Sequence, residues 1–303
     1  MSHDHNHHHA HAPAAYGRAF ALGVALNVGF VAIEAFYGWQ TQSLALLADA
    51  GHNLSDVAGL LLAWAAIAAS RLSPTARHTY GWRRGSILAS FANAVILLLA
   101  MGSLGWEAIQ RLQEPSPIHA GTVMVVAGIG VVINAATAAL FMAGSKSDLN
   151  IRGAFLHMAA DALVSVGVVL SGALYLWQGW SWIDPVVSLV IAGVIIMGTW
   201  SLFHQSLRLL FDGVPESVDL GAVRQSLLEL PGVIRLHDLH VWAIATDENA
   251  LTAHLVLGEP PQPDSRLLHL AQQRLHERFE IRHVTLQLET HEQALTCPVV
   301  NCV

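Results

Sequence analysis

The 303 residues carry 15 Lys and Arg against 22 Asp and Glu, a formal net charge of −7; 12% of the chain is charged, 53% is hydrophobic, and the mean hydropathy is +0.47. Soluble globular domains are about a quarter charged, so this balance excludes an ordinary soluble enzyme, and the absence of a basic stripe excludes a nucleic-acid partner. The apolar excess has to be met by a lipid bilayer.

In chain order, residues 1–15 form a His-rich leader. His3, His5, His7, His8, His9 and His11 place six imidazoles in the first eleven residues. Such a tract binds Zn²⁺ weakly and can feed or sense it, but it cannot enforce a coordination geometry. It is too polar for a cleavable signal, and the first apolar run is too long for the hydrophobic region of one. The runs Ala19–Trp39, Leu44–Ser70, Ile87–Ile109, Gly121–Gly144, Ala154–Trp177 and Ile183–Phe203 are each near or above the ~20 residues that span hydrocarbon. They predict six transmembrane helices within residues 16–211. Arg18, Arg71, Arg77, Arg83, Arg84, Lys146, Arg152 and Arg208 flank one side of these spans, and Arg111 beside Glu114 stands on the other. The positive-inside bias then puts both termini in the cytoplasm of a cell bounded by an inner membrane, and the Arg cluster after the second span is expected to anchor against anionic headgroups.

After Phe211 the composition changes. Asp212–Pro215 punctuates the chain, and the remainder holds 13 of the 22 acidic residues and 6 of the 15 basic ones. The pattern predicts a helix over Ser217–Leu230, a strand over Val233–Ala245, a hairpin through Thr246–Ala250, a strand over Leu251–Leu257, a helix over Ser265–Phe279 and a strand over His283–Glu289. That α-β-β-α-β order, with two helices on one face of a small antiparallel sheet, predicts a ferredoxin-like α+β cytoplasmic domain over residues 212–290. Its sheet edges need cover, which a homodimer would supply. Residues 291–303 form a tail whose Cys297 and Cys302, on the reducing side, suit metal binding or solvent exposure better than a disulfide.

Two pairs carry the chemistry. His52 with Asp56, in the second span, and His157 with Asp161, in the fifth, are each spaced i and i+4, so each pair shares one helix face. Ionisable residues at bilayer depth are costly and mark ion pathways. Two imidazoles with two carboxylates make a tetrahedral Zn²⁺ ligand set. Ligation needs neutral His and ionised Asp, so the same groups hold either the ion or protons. Asp49 shares that helix face two turns before Asp56, and Glu34 lies inside the first span; each offers either a relay for ions and protons or an interhelical hydrogen bond. Asp184, before Pro185, reads as a helix N-terminal residue.

The segments Leu47-Ala-Asp-Ala-Gly-His-Asn-Leu-Ser-Asp56 and Gly153-Ala-Phe-Leu-His-Met-Ala-Ala-Asp161, with Tyr80-Gly-Trp-Arg83 after the second span and His237-Asp-Leu-His-Val-Trp242 in the tail, resemble the cation diffusion facilitator family, and most closely its zinc-transporting branch. The resemblance covers nearly the whole chain. It implies a homodimeric secondary transporter, not an enzyme, with Zn²⁺ as substrate and H⁺ as counter-ion and with His52, Asp56, His157 and Asp161 as the transport site. Some members bind a second metal in the loop after the second span; here His78 is the one candidate, Trp82 stands where another ligand would be wanted, and Ser86 replaces a frequent Glu. In the tail the resemblance implies cytoplasmic Zn²⁺ held by His237, His254 and Glu289, with His240 nearby, Gln287 at a position that is His in some relatives, and Cys297 and Cys302 available to complete the site. The alternatives from other classes are a metal-regulated channel and a membrane-anchored zinc sensor or buffer; a same-class alternative is a broader exporter of Cd²⁺ or Co²⁺.

Overall fold

The computed structural model describes residues 14–70, 72–114, 117–142, 149–258 and 265–295. Six long helices come first: α1 (Ala14–Thr41), α2 (Leu44–Ser70), α3 (Gly85–Gln113), α4 (Ala120–Met142), α5 (Leu149–Gln178) and α6 (Ile183–Leu210). Among the described residues, four stretches are long and apolar enough to cross a membrane: Gly85–Gln113, Ala120–Leu140, Phe155–Gln178 and Ile183–Leu210. The chain packs as two units, one of residues up to Ala58 with Ile96–Gly198, the other of Gly59–Val95 with the chain from Thr199 onward.

In the first unit, Phe30, Leu46, Leu97, Met101, Val123, Val168 and Ile191 join α1 to α6 in one buried cluster. Outward positions such as Ile33, Leu99, Val132, Leu163 and Met197 are large and exposed, as expected where hydrocarbon rather than water is the solvent. Helices in lipid pack through small residues, and α4 against α5 shows why: a Cβ at Gly172 would sit 2.5 Å from Met124 Cγ and 3.3 Å from the carbonyl of Ala120. The start of α2 is capped twice. Leu46 N–H donates to Ser43 Oγ at 3.2 Å, while Ser43 Oγ and Leu44 N–H donate to the carboxylate of Asp184 at 2.6 and 2.9 Å. Asp184 does lie in the first turn of α6, but its carboxylate serves the orphan donors of α2.

In the second unit, the tail folds as α7 (Leu220–Leu228), β1 (Val233–Ala245), β2 (Glu248–Leu257), α8 (Ser265–Phe279), β3 (Ile281–Glu289) and α9 (His291–Leu295). Asp219 caps α7 by accepting from Ala222 N–H at 3.1 Å. Thr290 and Gln293 form a reciprocal capping box on α9. The strand order is β1-β2-β3. An antiparallel sheet is expected from the sequence, and the structure corrects this: β1 and β2 are antiparallel across a two-residue turn, but β2 and β3 are parallel. The physical reason is α8. Strands joined by a crossover helix run in the same direction, whereas a tight hairpin reverses them. The hairpin is also tighter than expected, since β2 begins at Glu248, and α7 begins at Leu220 rather than Ser217. Val223, Leu227, Leu267, Ala271 and Leu275 of the helices pack on Leu236, Leu239, Val241, Leu251, Leu255 and Ile281 of the sheet.

Candidate metal centre

The first unit brings the four sequence-predicted residues together. His52 and Asp56 lie on α2, His157 and Asp161 on α5, and the cross-helix distances reveal the register. His52 Nε2 is 3.3 Å from Asp161 Oδ1, and His157 Nε2 is 3.2 Å from Asp56 Oδ2. Position 52 thus opposes 161 and 56 opposes 157, so the two helices are antiparallel at the site and each imidazole faces the other helix's carboxylate. Within each helix the imidazole–carboxylate distance is 3.7 Å.

Zinc bonds of about 2.0–2.1 Å in a tetrahedron put neighbouring ligand atoms roughly 3.3–3.4 Å apart. The observed imidazole–carboxylate separations of 3.2–3.7 Å, in which His52 and His157 approach different oxygens of Asp161, lie near that edge, and one ligand atom from each residue falls within 4.8 Å of all the others. Asp56 Oδ2 and Asp161 Oδ2 are buried, and a buried carboxylate oxygen is costly unless a donor or an ion satisfies it. The site has two ends. The Asp161 side chain is 3% exposed and that of His52 22%, against 37% for Asp56 and 42% for His157. It therefore opens toward the C-terminal side along α2 and the N-terminal side along α5.

Behind the site lie Glu34 and Asp49, both fully buried. Asn53 Nδ2 donates to Glu34 Oε2 at 3.2 Å, and Ser165 Oγ donates to Asp49 Oδ2 at 2.8 Å. The second oxygen of each carboxyl, Glu34 Oε1 and Asp49 Oδ1, is buried as well. Asn53 and Ser165 carry no charge, sit inside apolar runs and cannot be found by spacing alone.

A second group lies on the tail sheet. His237 Nε2 is 2.7 Å from Glu289 Oε2, and His254 Nδ1 is 2.8 Å from Glu289 Oε1. His254 Nδ1 is buried, and that short approach to Glu289 lacks hydrogen-bond alignment. Gln287 Nε2 donates to Glu289 Oε1 at 2.7 Å. Burial pushes the Glu289 carboxyl up, but the His237 hydrogen bond, the charges of His237 and His254 and the Gln287 hydrogen bond outweigh it and hold Glu289 below the ordinary glutamate value.

The other candidates fare differently. His240 does not join the group: its side chain is 65% exposed and reaches Asp238 Oδ1 at 3.0 Å instead. Cys297 and Cys302 lie outside the described residues, as does the leader from His3 to His11. His78 is exposed, stacks on Trp82 with ring centroids 4.6 Å apart and, among the described residues, belongs to no group of three metal-ligating side chains. Two arginines of the cluster have protein partners: Arg83 donates to Glu248 at 2.5 Å, with His283 3.0 Å from the same carboxylate, and Arg84 pairs with Asp212. Ser86 Oγ accepts from Thr246 N–H at 3.1 Å, so the loop after α2 is tied to the tail by charge and hydrogen bonds.

Comparison with protein families matches residues 20–211 to the cation efflux transmembrane domain and residues 215–291 to the cytoplasmic domain of cation efflux proteins. The metal cation efflux system protein CzcD of Cupriavidus metallidurans is 36% identical over 288 residues, 95% of this chain and 89% of that protein. The zinc transporter ZitB of Escherichia coli is 36% identical over 294 residues, covering 95% and 93%. A cadmium, cobalt and zinc/H⁺-K⁺ antiporter of Bacillus subtilis is 33% identical over 305 residues, covering 98% and 96%. With both family domains matched in order and relatives aligned over nearly their whole length, the chain belongs to the cation efflux, or cation diffusion facilitator, family of cation transporters.

Proposed function

We propose that the chain exports Zn²⁺ from the cytoplasm in exchange for protons, as a homodimer with six spans (residues 16–211), a cytoplasmic domain (212–290) and both termini inside a bacterial inner membrane. The observation that supports this most directly is the donor set: two imidazoles and two carboxylates on antiparallel α2 and α5, with one ligand atom of each within 4.8 Å of the others. Nitrogen and oxygen donors together suit Zn²⁺, where an all-oxygen site suits harder ions and thiolates suit softer ones. The half-buried Asp56 and the exposed His157 lie on the cytoplasmic side of the pair under this topology, so the arrangement is the inward-open state. Zn²⁺ enters there, rocking of the helices exposes the site on the other side, and protons displace the ion. Glu34 and Asp49 are the path by which protons or ions pass deeper into the bundle. Zn²⁺ held by His237, His254 and Glu289, with Cys297 and Cys302 within the same tail, biases the dimer toward a compact state and so regulates transport.

The test is Zn²⁺ flux in proteoliposomes under an imposed pH gradient. Flux driven by the gradient and accompanied by proton counterflow supports antiport; flux indifferent to the gradient indicates a channel, and binding without flux a sensor. The name of the Bacillus relative favours including Cd²⁺ and Co²⁺ in the same assay as further substrates.

A further inference from the structure

Strand β1 shifts register against β2 at three places, and the middle one falls at the histidines. His237 pairs with His254 and His240 with Thr252, so three steps on β1 oppose two on β2. The extra residue is Asp238, with φ of 52°, a left-handed conformation that Asp tolerates better than most residues. The bulge lets Leu236 and Leu239 both enter the core while His237 and His240 share the opposite face. It also aims the Asp238 carboxylate between two rings. Oδ1 is 3.0 Å from His240 Nε2, and Oδ2 is 3.5 Å from His254 Nε2. His254 therefore has a carboxylate at each ring nitrogen: Asp238 beyond Nε2, and Glu289 2.8 Å from Nδ1.

We propose that Asp238, steadied by His240, is the positioning carboxylate of the cytoplasmic metal site, accepting the Nε2–H of His254 so that its Nδ1 lone pair faces Glu289 and His237 to bind a divalent ion such as Zn²⁺. The proposal rests on the reading of His237, His254 and Glu289 as a metal site. A neutral imidazole has one N–H. If that proton sits on Nδ1, it occupies the lone pair that faces Glu289 and His237 and removes His254 as a ligand. A carboxylate at Nε2 favours the other tautomer, and as the ion draws electrons from the ring the Nε2–H polarises further toward Asp238, which strengthens His254 as a ligand. His240 now has a reason to be near the site without joining it: its Nε2–H donates to Asp238 and fixes the carboxylate's rotation.

The experiment uses the full chain in detergent and measures Zn²⁺ affinity by competition with a chromophoric chelator. His254→Ala identifies which binding step belongs to the tail site. Asp238→Asn and Asp238→Gly both accept a positive φ, so both preserve the bulge while removing the charge. The expected result is an unchanged thermal midpoint in chelator and an affinity of the His254-dependent step reduced roughly 10–100-fold. Asn, which keeps one acceptor oxygen, loses less than Gly. The loss persists at pH 8.5, where imidazole is neutral, because a tautomer and not a protonation state is at stake. Wild-type affinity in both Asp238 variants, with the His254→Ala step still missing, overturns the positioning role and leaves the metal site standing. If Asp238 only shaped the backbone, Gly would bind as tightly as wild type, which also overturns it. No step lost in His254→Ala overturns the metal-site reading itself, and the positioning role with it.

Discussion

Asp161→Asn is the sharpest perturbation of the proposed transport site, because it keeps the side chain's size and removes only its charge. Two carboxylates neutralise a divalent ion held with two neutral imidazoles, so one amide leaves a net positive charge at the end of the site where Asp161 is 3% exposed. Removing one partner of a buried ion pair costs about 3–5 kcal/mol, which is roughly two to four orders of magnitude in Zn²⁺ affinity. Asp56 is 37% exposed at the open end. Water screens the equivalent deficit there, and Asp56→Asn should lose less by roughly an order of magnitude or more. The assay is initial Zn²⁺ uptake into inside-out vesicles across a Zn²⁺ titration, with each variant checked for a wild-type thermal midpoint and dimer elution. At the wild-type half-saturating concentration Asp161→Asn should be indistinguishable from empty vesicles, and Asp56→Asn should recover flux as Zn²⁺ is raised. Wild-type flux in Asp161→Asn, or the reverse order of severity, would refute the assignment of the buried end of the site.

Exchanging an imidazole for a carboxylate hardens the donor set, so His52→Asp should broaden selectivity toward Cd²⁺ or Mn²⁺; unchanged metal competition profiles would show that His52 does not set it. Deleting residues 2–11 should leave maximal transport nearly intact and at most raise the Zn²⁺ concentration needed for half-maximal rate, which a dose response in correctly inserted protein measures. Zn²⁺ flux should fall as the cytoplasmic-side pH drops through the region near the reference imidazole value of about 6.5, since protons compete for the ligands' lone pairs; flux that rises on acidification of that side would sink the antiport mechanism. Glu289 is held below its ordinary value of 4.5 in the fold, so its ionised form stabilises the tail. That contribution is present above the unfolded value and is lost as pH falls through the folded one. In chelator, the thermal midpoint should drop on the acid side, and Glu289→Gln should flatten that dependence.

Hydrophobic run length and i, i+4 spacing made the long helices and the four transport-site candidates legible, because both depend on local geometry alone. What depended on register or on distant pairing was not. Ser43 and Asp184 are 141 residues apart and meet only because the folded bundle brings the start of α2 to the first turn of α6. Regular alternation would put His240, three residues after His237, on the other face of the sheet; the bulge at Asp238 that brings both to one face has no periodic signature. The arginines after α2 fitted lipid anchoring by charge sign, and the pairing of Arg83 and Arg84 with Glu248 and Asp212, on a later strand and a later turn, had no local signal. The parallel pairing of β3 was inferable in principle, since α8 lies between β2 and β3 and a crossover helix reverses the hairpin rule.

The register of α2 against α5 also bears on how one site can alternate between ion and protons. The 3.7 Å separations within each His–Asp pair are set by one helical turn and survive any rigid movement of the helices. The 3.2 and 3.3 Å separations across the pair are set only by how the two helices sit against each other. A small rotation or slide of α5 therefore lengthens both cross-helix contacts together and leaves two half-sites, each with one imidazole and one carboxylate. Such a half-site supplies two ligands where Zn²⁺ needs four, and its lone pairs, freed from the metal, are open to protons. In the proposed cycle the motion that changes access is thus also the motion that weakens the grip on the ion, and packed helices that slide between discrete arrangements are a known form of such a switch. In the proposed cycle Zn²⁺ release and proton uptake at the site are then coupled through the same two distances, and Glu34 and Asp49 serve only passage beyond it.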